Sequence, residues 1–229
     1  MVYRVDSRAL RRQGGLMYIP SAFRQDDREA VRALVGGHPL AEMVTVGPGG
    51  LLATTVPLLV EVDGDEDVLI GHVARANPQR NHDGAEALVI FRGPDTYVTP
   101  SWYASKAEHG KVVPTWDYLV ARARGTLVVH DDASWLERMV TRLTDHHEAG
   151  RPSPWSIDDA PAAFIANRLN AIVGVEIRVA TWEASWKLSQ NRPPADIDGV
   201  LDGLRHGSRG QREVADLIEA NRPDEEPPP

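Results

Sequence analysis

The chain has 229 residues, enough for one large domain or two small ones with a core that needs no staple. It contains no cysteine, which excludes disulfides, thiolate catalysis, Cys-ligated iron–sulfur clusters and Cys-based zinc sites. With 33 acidic and 25 basic side chains its formal net charge is −8, so the field of the whole molecule opposes a polyanion such as DNA.

Residues 1–16 carry Arg4, Arg8, Arg11 and Arg12 before Gly14-Gly15 and are expected to form a flexible arm. They are too rich in arginine and too poor in apolar residues for a secretory signal, and no apolar run approaches the roughly 20 residues of a membrane span. The expectation is a soluble, cytoplasmic protein with no membrane contact, folded over residues 17–222. A first helix near residues 24–35 is predicted, with Asp26 or Asp27 as its cap, Ala30, Val31, Leu34 and Val35 at helical spacing, and Gly36-Gly37 ending it.

From Met43 to Asp131 the period changes. Met43–Val46 reads as a strand, Gly47-Pro48-Gly49-Gly50 as a turn, Leu51–Val62 as a strand, Asp63-Gly64-Asp65 as a turn and Val68–Val73 as a third strand. Connections this short imply antiparallel pairing. Further strands are predicted at Ala87–Phe91, Thr96–Thr99, Tyr118–Val129 and Ile172–Thr181, and helices at Ser134–His147, Pro161–Leu169 and Gln211–Asn221. The acidic, proline-rich residues 223–229 are expected to be disordered. Six or more antiparallel strands with small helical insertions give a mainly β chain with added helices. Closing that sheet into a barrel over about residues 41–181 removes its exposed edges. No strand–GxxxxGK–helix unit, His-Glu-x-x-His spacing or Gly-x-Ser-x-Gly elbow occurs, so phosphate hydrolysis by a P-loop, a zinc centre and a serine hydrolase lack their usual context.

The stretch Gly71-His72-Val73-Ala74-Arg75-Ala76-Asn77-Pro78 carries the most chemistry. A strand that breaks into small residues with one His, one Arg and one Asn can offer backbone N–H groups and a guanidinium to an anion such as phosphate. The same residues also spell a helix start, with Asn77 as N-cap and Pro78 at the first helical position. In the strand itself Val68, Ile70 and His72 face one way and Leu69, Gly71 and Val73 the other. Later, Ser101-Trp102-Tyr103, Pro114-Thr115-Trp116-Asp117-Tyr118 and Trp186-Lys187-Leu188-Ser189-Gln190 set indole rings beside Lys and Gln. That combination suits a planar heteroaromatic ligand, and core or interface packing explains the tryptophans equally well. His146 and His147 fall at the end of a helix, where they complement its C-terminus.

Taken together, Met17-Tyr18-Ile19-Pro20, Gly71–Pro78, Gly93-Pro94 through Trp116, His147–Pro152 and Trp186–Pro193 resemble the PaiB family, in order, from Met17 to about Asn221. The family is described as FMN-binding negative transcriptional regulators with an antiparallel FMN-binding split β-barrel, the pyridoxamine-phosphate-oxidase-like fold. The resemblance implies a homodimer with flavin sites at the subunit interface. It implies that Arg75, Ala76 and Asn77 hold the FMN phosphate, with His72, Thr54 and Thr55 close by; the indole-and-lysine pattern above adds Trp102, Trp116 and Lys187 as candidates for the same cofactor. Three positions depart from the family pattern. Thr55 precedes Val56-Pro57 where many relatives have His, Asp117 stands where they have Asn, and Arg122 replaces a common His, so two imidazoles are absent from the implied pocket.

The similar, haem-using piperazate synthases lack the Ser-Lys-Ala-Glu-His-Gly loop that this chain keeps at 105–110. The expected function is therefore an FMN-binding negative regulator of transcription. No helix-turn-helix is predicted in the folded region, which leaves only the arginines of the arm as candidates for a direct DNA contact. The alternative is an FMN-dependent small-molecule oxidoreductase with Lys187, Trp116 and Tyr103 around its substrate, or a haem-dependent one with His72 or His109 as axial ligand.

Overall fold

A computed structural model describes residues 17–222. The expected N-terminal arm (1–16) and C-terminal tail (223–229) lie outside the described residues. In chain order the elements are β1 (Arg24–Gln25), α1 (Arg28–Gly37), β2 (Leu40–Gly47), β3 (Gly50–Pro57), β4 (Leu59–Asp63), β5 (Glu66–Ala74), β6 (Glu86–Val98), α2 (Ser105–His109), β7 (Thr115–His130), α3 (Ala133–Glu148), α4 (Ala162–Leu169), β8 (Ile172–Lys187), α5 (Pro194–Arg205) and α6 (Arg209–Ala220). The strands form one sheet in the order β3-β2-β6-β7-β8-β5-β4, and β1 pairs with β8. Pairings β1–β8, β2–β3, β2–β6, β4–β5 and β5–β8 are antiparallel.

Two compact units divide the described chain: residues 32–91 with 122–182, and residues 17–31 with 92–121 and 183–222. The first unit holds the barrel. Strands β3 and β4 end the strand order on opposite sides, yet only Leu58 separates them in sequence. One residue reaches about 3.4 Å, so the two edges must approach each other and the sheet must curl into a split barrel. The corner is made tight by Gly71, where a Cβ would come within 2.6 Å of the Pro57 carbonyl oxygen and 2.8 Å of Leu58. The expected single strand Leu51–Val62 is thus broken at Leu58. Pro57 offers no N–H to continue the β2–β3 ladder, and the Leu58 N–H turns to the Pro39 carbonyl at 2.9 Å.

Alternation along the strands fills the barrel. Ala41, Met43, Val56, Leu69, Val89, Phe91, Leu127, Val175 and Ile177 are buried. On the outer side of β5, Val68 and Ile70 join Leu59, and α3 lays Leu136 and Met139 over them. The β5 strand is therefore buried on both faces, not on one. Asp67, fully buried, is bonded by Arg32 Nε and Trp182 Nε1, each at 2.7 Å.

In the second unit α5 and α6 pack through Val200, Leu204, Val214 and Ile218, with Arg205–Glu219 and Arg222–Asp198 ion pairs at 2.8 Å. The α6 N-terminus carries a reciprocal Ser208/Gln211 capping box. Other corrections to the sequence reading are local. The predicted first helix starts at Arg28, after Asp27 caps the Glu29 N–H, and it includes Gly36 and Gly37. Thr96–Thr99 continues β6 through Gly93-Pro94, β8 extends to Lys187, and α5 is a helix absent from the sequence reading.

Candidate functional site

In the first unit, β5 delivers the residues singled out from sequence to one end of the barrel. Asn77 caps the short 3-10 turn Pro78–Asn81, accepting the Gln79 N–H at 2.9 Å, and its amide donates to Thr54 Oγ1 at 3.0 Å. Thr54 and Asn77 are thus brought together. Thr55 lies on the opposite side of β3 and donates to Glu42 at 2.7 Å. Gln79, fully buried, anchors the turn by donating to Met43 O at 3.1 Å and Thr45 Oγ1 at 2.9 Å. His72 is partly buried, its Nδ1 has no hydrogen-bond partner, and burial pulls its pKa below the ordinary histidine value. Its ring is neutral at neutral pH.

Arg75 holds three residues from two chain segments. Its Nε donates to the Asn170 carbonyl at 2.6 Å, Nη2 to the Ile172 carbonyl at 2.9 Å, and Nη1 and Nη2 to the two oxygens of Asp131 at 2.8 and 2.6 Å. Its backbone N–H goes to Ala171 O and that of Asn77 to Ala74 O. The expected open loop of donors is therefore largely satisfied within the chain, and the helix-start reading of Asn77 and Pro78 describes the local backbone. The carboxylate seated in the Arg75 fork also tests the site's chemistry. A fork that takes two carboxylate oxygens carries a donor pair that would also suit two phosphate oxygens if that carboxylate moved away.

The remaining candidates lie in the second unit. Lys187, near the end of β8, donates to Thr115 Oγ1 and to the Trp116 carbonyl, and stands 3.5 Å from Asp117. Asp117 is fully buried and accepts from Ser189 Oγ at 2.6 Å. Burial pushes the Asp117 carboxyl up, against Ser189 and Lys187, and burial pulls the Lys187 ammonium down, against Asp117. Ser189 adopts φ 60°, a left-handed conformation unusual for a residue with a side chain. Gln190 staples this turn, accepting the Leu188 N–H at 2.7 Å and donating to Trp186 O at 2.6 Å. Lys187 and Gln190, expected to fix the edge of a ligand, instead fix the backbone.

Trp102 is also committed. Methyl groups at Gly199 and Gly203 would overlap the Trp102 carbonyl and indole respectively, so the ring lies in a notch on α5. Trp116 is the one of these indoles open to solvent, 52 % exposed and edge-on to Tyr97 at 6.3 Å. Sequence reasoning missed Asp131, Ser189 and Asp196, the last fully buried and bonded to Ser105 N and Oγ at 2.9 and 2.8 Å. Only the Asp131-Asp132 doublet carried a signal, since Asp132 caps α3 by accepting the Trp135 N–H at 2.8 Å. Among the described residues no group of three or more His, Asp or Glu is placed to hold a metal, and no helix is long and apolar enough to cross a membrane.

Residues 17–181 match the family model described as "Putative FMN-binding domain". The chain is 31 % identical over 206 residues to "Protease synthase and sporulation protein PAI 2" of Bacillus subtilis, covering 89 % of this chain and 97 % of that protein. It belongs to the PaiB family. Solved structures share the fold of this PaiB-family chain. The FAD and heme binding protein from Mycobacterium smegmatis matches with a TM-score of 0.51 at 21 % identity, over 72 % of this chain and 73 % of that one. The flavocytochrome Anf3 from Azotobacter vinelandii matches with a TM-score of 0.51 at 14 % identity, over 72 % and 69 % of the two chains. These likenesses support the split barrel as this chain's architecture.

Proposed function

We propose that this protein binds FMN as a homodimer in the cytoplasm and acts through that dimer as a negative regulator of transcription. The observation that carries the flavin reading is the FMN-binding family match over the split barrel, which here ends in an arginine fork built to take an oxyanion. Arg75 is the phosphate ligand in this reading, with Thr54 and Asn77 beside it, and FMN when bound supplies the redox-active ring. His72, on β5 of the same unit, is the remaining candidate for an edge contact. The regulatory part rests on the likeness to the PaiB family. The net charge of −8 makes an indirect effect on transcription, through a protein or metabolite partner, the physically easier route.

FMN added to the purified protein is expected to bind and to show the two flavin absorbance bands, and riboflavin to bind more weakly. Arg75→Ala is expected to weaken FMN about tenfold and riboflavin hardly at all, because only FMN carries the phosphate. An FMN affinity equal to the parent's in Arg75→Ala, or no flavin binding by the parent, would sink this placement.

An open sheet face supports the homodimer. Outward positions of β3, β2 and β6 present Leu51, Leu40 and Val46 at 73, 62 and 63 % exposure, with Val44, Leu88 and Ile90 half-buried between them. The exposed Glu42–Thr55 pair interrupts this face, leaving apolar surface on either side of it; water against the apolar part is costly, and a second copy offers a matching surface about a twofold axis. Sedimentation at micromolar concentration is expected to show a dimer for the parent and a folded monomer for Val46→Glu/Leu51→Glu. A parent monomer, or a dimer that survives both glutamates, refutes this interface.

A further inference from the structure

We propose that Asp131 sets this protein's selectivity between phosphate-bearing and phosphate-free flavins, because its carboxylate competes within the molecule for the oxyanion position on Arg75. The inference rests on the assignment of Arg75 as the phosphate ligand. Asp131 does little else. Its side chain is 62 % exposed, and its two oxygens accept from Arg75 Nη1 and Nη2 at 2.8 and 2.6 Å. The neighbouring Asp132 is committed to the α3 cap through Trp135 N and Ser134 Oγ and leaves the fork to Asp131.

The fork does not depend on Asp131 for its orientation. From behind, Nε and Nη2 are held by the carbonyls of Asn170 and Ile172, so the guanidinium stays aimed when the carboxylate leaves. A second cation acts on the same carboxylate. Arg80, exposed, acts electrostatically on Asp131 together with Arg75, and the two hold its carboxyl below the usual carboxylate range. At neutral pH the position is thus filled by a full negative charge belonging to the chain. A phosphate must displace that charge and then meets Arg75 and the field of Arg80; a ligand without phosphate displaces nothing. Competition of this kind is worth about as much as an exposed ion pair, a factor of about two to five in affinity.

The test compares FMN, riboflavin and inorganic phosphate on the full chain. Asp131→Ala is expected to bind FMN about two- to fivefold more tightly than the parent. Its riboflavin affinity should be unchanged, and inorganic phosphate should raise its melting temperature more than the parent's. Arg80→Ala, at an exposed position outside the core, is expected to weaken FMN and spare riboflavin. Unchanged or weaker FMN binding in Asp131→Ala overturns the proposal. If Arg75→Ala loses the preference for FMN while Asp131→Ala equals the parent, only the competition fails. If Arg75→Ala also equals the parent, the placement of the phosphate on Arg75 fails with it. Should no flavin bind, the phosphate melting shift decides: an equal shift in parent and Asp131→Ala refutes the competition.

Discussion

Replacing Lys187 with methionine is expected to destabilise the protein by about 3 kcal/mol, the cost of removing one partner of a buried ion pair and leaving the other charge uncompensated. Asp117 is fully buried, and after the substitution its carboxylate keeps the hydroxyl and backbone N–H of Ser189 but no cation beside it. The loss depends on pH in a defined direction. Burial already raises the Asp117 pKa in the fold, and loss of the ammonium raises it further. Between the ordinary carboxylate range and that raised value the folded state binds more protons than the unfolded state, so stability falls as pH rises through the window. The gap between Lys187→Met and the parent is therefore smallest in mildly acidic buffer and reaches its full size above the raised Asp117 pKa. Urea unfolding followed by tryptophan fluorescence measures it. Adding Asp117→Asn to Lys187→Met should recover most of the stability, because a neutral amide carries no charge to desolvate. A pH-independent loss, or no recovery, would mean that Lys187 acts through its packing near Phe23, 5.8 Å from that ring, and not through its charge.

The second large effect is steric. Gly199→Ala is expected to cost about 3 kcal/mol, at the upper end for overpacking, because the new methyl meets a backbone carbonyl that no rotamer change can move. Gly203→Ala meets the Trp102 indole instead. Trp102→Ala should therefore relieve most of the added cost of Gly203→Ala and little of that of Gly199→Ala, a contrast that a double-mutant cycle in chemical denaturation reads directly. Equal relief in both backgrounds would place Trp102 outside the notch and return it to the ligand candidates.

Much of the architecture is written locally. The Gly47–Gly50 and Asp63–Asp65 turns, the alternation of β2, the Asp132 cap of α3 and the Asn77-Pro78 turn are all decided within a few residues, and each appears where its chemistry puts it. The strand break at Leu58 is not local, because an apolar run reads the same whether it continues or changes edges. Helix α5 hides for a related reason. Glycine costs about 1 kcal/mol in a helix interior, so Gly199 and Gly203 weaken the helical pattern, and their purpose is the ring of a residue about a hundred positions earlier. The family, and with it the flavin expectation, was legible from motifs. The state of the site was not: Arg75 alone reads as an anion ligand, and its partners Asp131, Asn170 and Ile172 lie far along the chain.

Those distant partners also set an order of assembly. The β2–β3 and β4–β5 hairpins join residues close in sequence and form early, whereas β5 cannot pair with β8 until a loop of about a hundred residues closes. The Arg75 fork is held by carbonyls at the start of that last strand. During synthesis the Arg75 fork therefore cannot form until the ribosome has released residues beyond Ile172, and under the proposed placement a cofactor caught by that fork would stabilise only a barrel already closed and could not template one.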